Sequence, residues 1–303
     1  MLAARPAIQD LRDLLREEVR LLLRDDGTRW KQPIRETVRA LQEAGIEAVL
    51  FGGTLRSLLI SRLYKDRPGR PRDIDLVVAG PPFAEVEERF GDLISRRTRF
   101  GGIHLQKAES SFDVWAVWDT WAFREQATEP SFEALPYTTP FNLEAIAVDA
   151  WVAPGRPRRI YAGDDQFFRG LLSRTIELNY PRNPYPALTA IRAIVLGAET
   201  HFSVGPALAK FVAQVGAELE PAEIEDVQRQ HYGYVRLSGG TVRMLIDLVA
   251  QRADSRLAFE FPSIQPSLWP DDALPRLRIH WSKKPRARGA SFRMGAVAPG
   301  TRS

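Results

Sequence analysis

VLFGGTLRSLLISRLYKDRPGRPRDIDLVV, residues 49–78, joins a glycine turn, a cluster of arginines and two aspartates in alternate positions. IEAVLF (46–51) reads as a buried strand, cut by Gly52 and Gly53, and TLRSLLISRL (54–63) reads as a helix starting directly after the glycines. Two glycines let the backbone turn sharply and approach a ligand closely, and the N–H groups that open the next helix face an anion such as a phosphate. The Pro- and Gly-bearing loop KDRPGRPR (65–72) leads into DIDLVVAG, a strand with its polar residues on one face. Asp73 and Asp75 project from that face together, and two carboxylates so placed need a cation or a proton.

Mg²⁺ prefers this hard-oxygen setting, using a few carboxylates plus substrate phosphates. Two such ions about 3.5–4 Å apart activate an attacking hydroxyl and stabilise a leaving pyrophosphate. A third acid would complete the clamp. Asp113 is the best placed, because it sits in the strand-like SFDVWAVW (111–118) among apolar residues where an unpaired charge is costly. Asp119, at the end of that strand, reads instead as a turn cap.

The chain of 303 residues can bury a substantial core, with 44% apolar and 26% charged residues. It has no cysteine, which removes disulfides, cysteine-based zinc sites and thiol nucleophiles and fits a reducing, cytoplasmic setting. No apolar run approaches the roughly 20 residues of a membrane span. The net charge of +4 is uneven: eight Lys/Arg and no Asp/Glu follow Pro275, which leaves 34 basic against 38 acidic side chains before it. The tail reads either as a phosphate-seeking arm or as a solvated end.

Along the chain, residues 7–25 and 31–44 have amphipathic helical spacing. Strand signals at 111–118 and 144–152 follow the DIDLVVAG strand. From about 165 the pattern is helical, through DQFFRGLLSRTIEL, YPALTAIRAIVLGAE, 205–218, 222–230 and 240–252. This gives N-terminal helices over 1–45, an α/β region over 46–160, a helical region over 161–262 and a basic, irregular tail over 263–303. Trp115, Trp118 and Trp121 read as core, one of them with a chance of stacking on a base. The four histidines, His104, His201, His231 and His280, are too scattered for a metal site. Arg62, Lys65, Arg67, Arg70 and Arg72 lie beside the aspartates and suit phosphate steering. SGGTVRMLI (238–246) repeats the glycine–threonine–arginine letters without a following D-x-D strand, so it reads as a helix start.

GGTLRSLLISR…RDIDLVV is similar to the GGxVRDxLLGR…DIDL signature of nucleotidyltransferases related to DNA polymerase β. The likeness is to the head domain of the CCA-adding and bacterial poly(A) polymerase family. TTPFNLEAIAVD (138–149) resembles the family's D-x-T-I-N-A-hydrophobic stretch, with Asn142 set on its Asn. YAGDDQFFRGLLSRTIEL and NPYPALTAIRAIVL resemble the two segments that open its neck domain. The resemblance implies a mixed sheet with helices on one side (an α/β, α+β head) followed by a helical neck. It also implies two Mg²⁺ ions (Mn²⁺ as a substitute), a nucleoside triphosphate donor and a nucleic-acid 3′ hydroxyl as acceptor, on tRNA or a single-stranded oligonucleotide. On this likeness Asp73, Asp75 and Asp113 bind metal, and Gly52, Gly53 and Thr54 hold the triphosphate. Arg56 lies near the phosphates or packs the site, and Asn142 and Arg192 lie by the nucleotide. Ser57 stands where the family has Asp, and Glu225, Asp226 and Arg229 carry the letters of the neck's base-reading motif at a late position. Faithful CCA addition is therefore not among the expectations. Toxin or defence nucleotidyltransferases share the same motif, which adds an antitoxin or defence partner to the expectations; a decayed nucleic-acid-binding module is the non-enzymatic alternative.

Overall fold

The computed structural model describes residues 7–64, 71, 73–80, 82–108, 110–126 and 128–262. The basic tail, His280 and the loop residues Lys65, Arg67, Arg70 and Arg72 lie outside the described residues. A mixed sheet organises the first half. Its strands are β1 (Glu47–Phe51), β2 (Asp73–Ala79), β3 (Ile94–Arg97), β4 (Ile103–Lys107), β5 (Ser110–Ala116), β6 (Ala147–Asp149) and β7 (Ile160–Tyr161), in the order β3-β4-β5-β2-β1-β6-β7. β2 and β5 run parallel at its centre, and the remaining neighbours are antiparallel.

Alternation decides what each face carries. Leu50, Ile74, Leu76, Phe112 and Val114 point to one side, where three helices cover them: α1 (Ile8–Leu23), α2 (Gln32–Glu43) and α3 (Gly53–Tyr64). α1 presents Leu11, Leu15, Val19 and Leu22, spaced by three or four residues, to that core. The opposite face carries Val49, Phe51, Val77 and Trp115 at one end, roofed by Val117, Phe123, Phe132, Leu135 and Tyr161. On the same face Asp73, Asp75, His104, Ser111 and Asp113 are only half-buried. One side of the sheet is thus a core, and the other is part core and part polar floor.

The helical second half contains α6 (Gln166–Ser173), α7 (Pro186–Thr200), α8 (Pro206–Gly216), α9 (Pro221–Tyr232) and α10 (Gly239–Ala250), numbered after α4 (Phe83–Phe90) and α5 (Trp121–Gln126) of the first half. Ser238 caps α10 by accepting the Thr241 N–H at 3.2 Å, so the repeated glycine–threonine letters do open a helix. Among the described residues no helix is long and apolar enough to cross a membrane.

Several elements depart from the sequence expectations. The helix expected through Thr175–Ile176 stops at Arg174, whose φ of +50° ends α6. Thr175–Ile176 is instead β8, paired in parallel with β9 (Ser203–Val204). The strand expected over 144–152 is confined to β6, because residues 142–144 form a 3₁₀ turn. α4 and the β3–β4 hairpin carried no clear signal; β3 reads ISRR, without apolar alternation, and is mostly exposed at the sheet edge. Trp118 is 40% exposed rather than core, since the chain leaves β5 in a 3₁₀ turn at that point.

Candidate active site

Gly52 lies at the hinge between β1 and α3 with φ of +64°, a conformation that side chains disfavour and glycine accepts. Its N–H donates to the Ile146 carbonyl (3.0 Å), and its carbonyl accepts from the Arg56 N–H (3.2 Å), which starts the helix. A Cβ built on Gly52 would lie 3.8 Å from Asp75 Oδ2. The glycine turn and the acid therefore share one surface. The β2–β5 register sets Asp75 directly opposite Asp113 and Asp73 opposite Ser111. Three carboxylates expected from sequence thus occupy one patch of the polar floor. Asp119 lies elsewhere, paired with Arg124 and set against Gly101.

Like charges in this patch leave a mark on Asp75. Burial raises its pKa well above the usual carboxylate range, and the carboxylates of Asp113, Asp73 and Glu144 push it further up, relieved in part by Arg192. Among the described residues no three Asp, Glu or His side chains are gathered at metal-binding spacing. Mg²⁺ commonly takes only one or two protein carboxylates and completes its shell with water and phosphate oxygens. Crowded hard-oxygen donors, with Asp75 held against its ionised form for want of a counter-charge, fit such an ion.

Glu144 was not singled out by the sequence reading, and it is central. It is 6% exposed and its Oε1 accepts from Arg56 Nη1 at 2.8 Å and from Arg192 Nη2 at 2.5 Å. Burial alone would raise its pKa, but the guanidiniums of Arg192 and Arg56 outweigh that and hold it below the usual range. Arg56 comes from α3 and Arg192 from α7, so one carboxylate ties the sheet half to the helical half. The Arg56 guanidinium also lies over the start of α3, 3.5 Å from where a Cβ of Gly53 would be.

Other expected residues have structural tasks. Thr54 is 2% exposed and its hydroxyl donates to the Asp73 carbonyl (3.1 Å), fixing the start of β2 to α3. Ser57, at the family's aspartate position, donates its hydroxyl back to the Gly53 carbonyl (2.9 Å). Asn142 is 6% exposed; its amide donates to the Thr175 carbonyl (3.1 Å) and accepts the N–H groups of Leu143 and Glu177, both at 2.8 Å. It clips the 142–144 turn to β8. Gly170 packs on this clip, because a Cβ there would come 2.4 Å from Asn142 Nδ2. Gly170→Ala is expected to destabilise the protein by about 1–3 kcal/mol in chemical denaturation, the usual range for overpacking.

Arg229 is bonded to Glu225 and Asp226, both at 2.7 Å, along the exposed side of α9. Arg62 pairs with Glu18 at 3.6 Å, and Arg97 with Glu87. Arg99 lies over Phe100 and Tyr185, 5.2 and 5.1 Å from the ring centroids. His201 forms the C-cap of α7, and His231 packs on Tyr232. His104 contacts Asp113 and Ser111 on the polar floor.

With the sheet, the glycine turn and the acid row in place, the class of fold is defined: a mixed seven-stranded sheet with helices, followed by a helical half. The particular structures it resembles are CCA-adding enzymes and tRNA nucleotidyltransferases. The CCA-adding enzyme of Thermotoga maritima in complex with tRNA matches with a TM-score of 0.53 and 15% identity, over 77% of this chain and 54% of that one. A CCA-adding enzyme with CTP matches with a TM-score of 0.53 and 16% identity, over 78% and 54%. A tRNA nucleotidyltransferase with a primer tRNA and an incoming ATP analogue matches at 0.50 and 16%, over 73% and 62%. The chain's match thus spans little more than half the length of these structures. No protein-family model and no curated protein matches the sequence.

Proposed function

We propose that this protein is a divalent-cation-dependent nucleotidyltransferase that moves an NMP or dNMP unit from a nucleoside triphosphate to a nucleic-acid 3′ hydroxyl without a DNA template. One observation carries the reading: the glycine turn at Gly52 lies beside the Asp75 carboxylate, and Asp75 stands in register with Asp113. The neighbours' complexes with CTP, an ATP analogue and tRNA support the substrate classes. Asp73, Asp75 and Asp113 would hold Mg²⁺ or Mn²⁺, which supplies charge neutralisation on the phosphates and a more acidic attacking hydroxyl.

The chain's own groups do the rest. Gly52 and Gly53 let the backbone approach the triphosphate, and the first amides of α3 offer N–H donors backed by the helix dipole. Arg56 and Arg192, held on Glu144, present guanidinium charge beside the acids, which suits developing charge on the phosphates. No protein nucleophile is needed, because the acceptor hydroxyl attacks the α-phosphorus as pyrophosphate departs.

A direct assay tests this. Purified protein with each labelled NTP and dNTP, Mg²⁺ or Mn²⁺, and tRNA or single-stranded oligonucleotides is expected to extend a 3′ end. Incorporation that is absent in every combination, or undiminished in Asp73→Ala, rejects the reading. A toxin or defence role for the same chemistry is the second reading. Growth arrest on expression that disappears with Asp73→Ala would support it.

A further inference from the structure

The geometry points to His104 as a positioning residue that orients the Asp113 carboxylate for the cation, an inference that rests on the nucleotidyltransferase reading above. His104 on β4 is the cross-strand partner of Asp113 on β5, and its Nδ1 lies 2.7 Å from Asp113 Oδ1. Its Nε2 lies 2.9 Å from Ser111 Oγ, two residues before Asp113 on the same face. A carboxylate only accepts, so Nδ1 donates to Asp113 Oδ1, while Nε2 and the Ser111 hydroxyl form the second bond, in which either group can donate. Both edges of the imidazole are fixed, and the ring cannot flip without losing a bond. The histidine side chain is 16% exposed and that of Asp113 is 32% exposed, so this network lies at the boundary between core and solvent.

Asp113 needs such a guide more than Asp75 does. Asp75 is wedged between β1 and β5 in the middle of the sheet, against the glycine turn. Asp113 has the hairpin strand β4 on its outer side, and the histidine from that strand holds Oδ1. Oδ2 is left as the donor for a cation. Carboxylates that ligate metals are themselves commonly held by hydrogen bonds, and removal of such an outer partner weakens metal binding or turnover by about 10- to 100-fold.

Two isosteric changes separate orientation from mere polarity. His104→Asn places its amide N–H where Nδ1 stands and keeps the bond to Asp113. His104→Gln places its amide near Nε2 and keeps only the Ser111 side. Mn²⁺ binding to the full chain without nucleotide, followed by electron paramagnetic resonance, and nucleotide incorporation at saturating substrate are the two readouts. His104→Gln is expected to weaken Mn²⁺ binding and slow incorporation by about 10-fold or more, whereas His104→Asn stays within about threefold of the unaltered protein. Equal Mn²⁺ affinity in the two variants, whether high or low, overturns the positioning role while leaving the transferase reading intact. Absence of both Mn²⁺ binding and incorporation in the unaltered protein overturns the transferase reading, and the positioning role with it.

Discussion

Asp75→Asn is expected to abolish nucleotide incorporation, beyond the roughly 100-fold that loss of an outer hydrogen bond to a metal site costs, while raising thermal stability. Asparagine keeps the shape of the side chain against Gly52 and removes the charge. Burial and the neighbouring carboxylates of Asp113, Asp73 and Glu144 raise the Asp75 pKa in the folded protein. A carboxyl that holds its proton more tightly when folded destabilises the fold at pH above its ordinary range, and this penalty vanishes as pH falls below that range. The stability gain from Asp75→Asn is therefore largest at neutral pH in the absence of divalent cations and disappears toward pH 4. Calorimetry with and without Mg²⁺ checks both halves. A rise of about 2 °C in melting temperature without metal is the expected scale. Unchanged incorporation, or a variant less stable than the unaltered protein at neutral pH, would contradict the account of a crowded, cation-seeking acid row.

The second large effect belongs to Glu144. Glu144→Gln leaves two guanidiniums facing a neutral amide between α3 and α7, where the side chain of the glutamate is 8% exposed and those of Arg56 and Arg192 are 17% and 26% exposed. Breaking a buried pair from one side costs about 3 kcal/mol, or about 5 °C in melting temperature for a chain of this size. The Glu144 pKa lies below the usual carboxylate range when folded. Its contribution is therefore present above the unfolded value, near 4.3, and is lost as pH falls through the depressed folded value. The gap between the two proteins should narrow below about pH 4. Incorporation should also fall, with KM for the nucleotide rising more than kcat drops, because both arginines lose their anchor. A variant that melts like the unaltered protein at neutral pH would show that the triad contributes no stability.

The chain carried its central motif openly. A strand broken by glycines, a helix and alternating aspartates are local patterns, and each follows from backbone sterics or strand alternation. Asp113 could be read too, because a lone acid within an apolar strand needs a partner. What escaped depends on distant pairing. Glu144 looks like one polar residue in NLEAIAVD until α3 and α7 deliver Arg56 and Arg192 to it. Asn142 and Glu144 are two residues apart, and only the three-dimensional neighbours distinguish the structural clip from the residue that faces the arginines. His104 was hidden for the same reason: its contact with Asp113 comes from β4 lying against β5, and β4 is a short strand whose partner β3 has no apolar alternation of its own.

The central parallel pair has a bearing on how the chain assembles. β2 and β5 sit side by side, yet α4 and the β3–β4 hairpin lie between them in sequence. Contacts so far apart along the chain close late, since the entropy of joining them must be met before they are rewarded. The acid row does not exist until that closure. A refolding experiment that follows Mn²⁺ binding beside tryptophan fluorescence should therefore find the cation site forming with the slowest phase, so that intermediates on the folding route hold neither metal nor catalytic power.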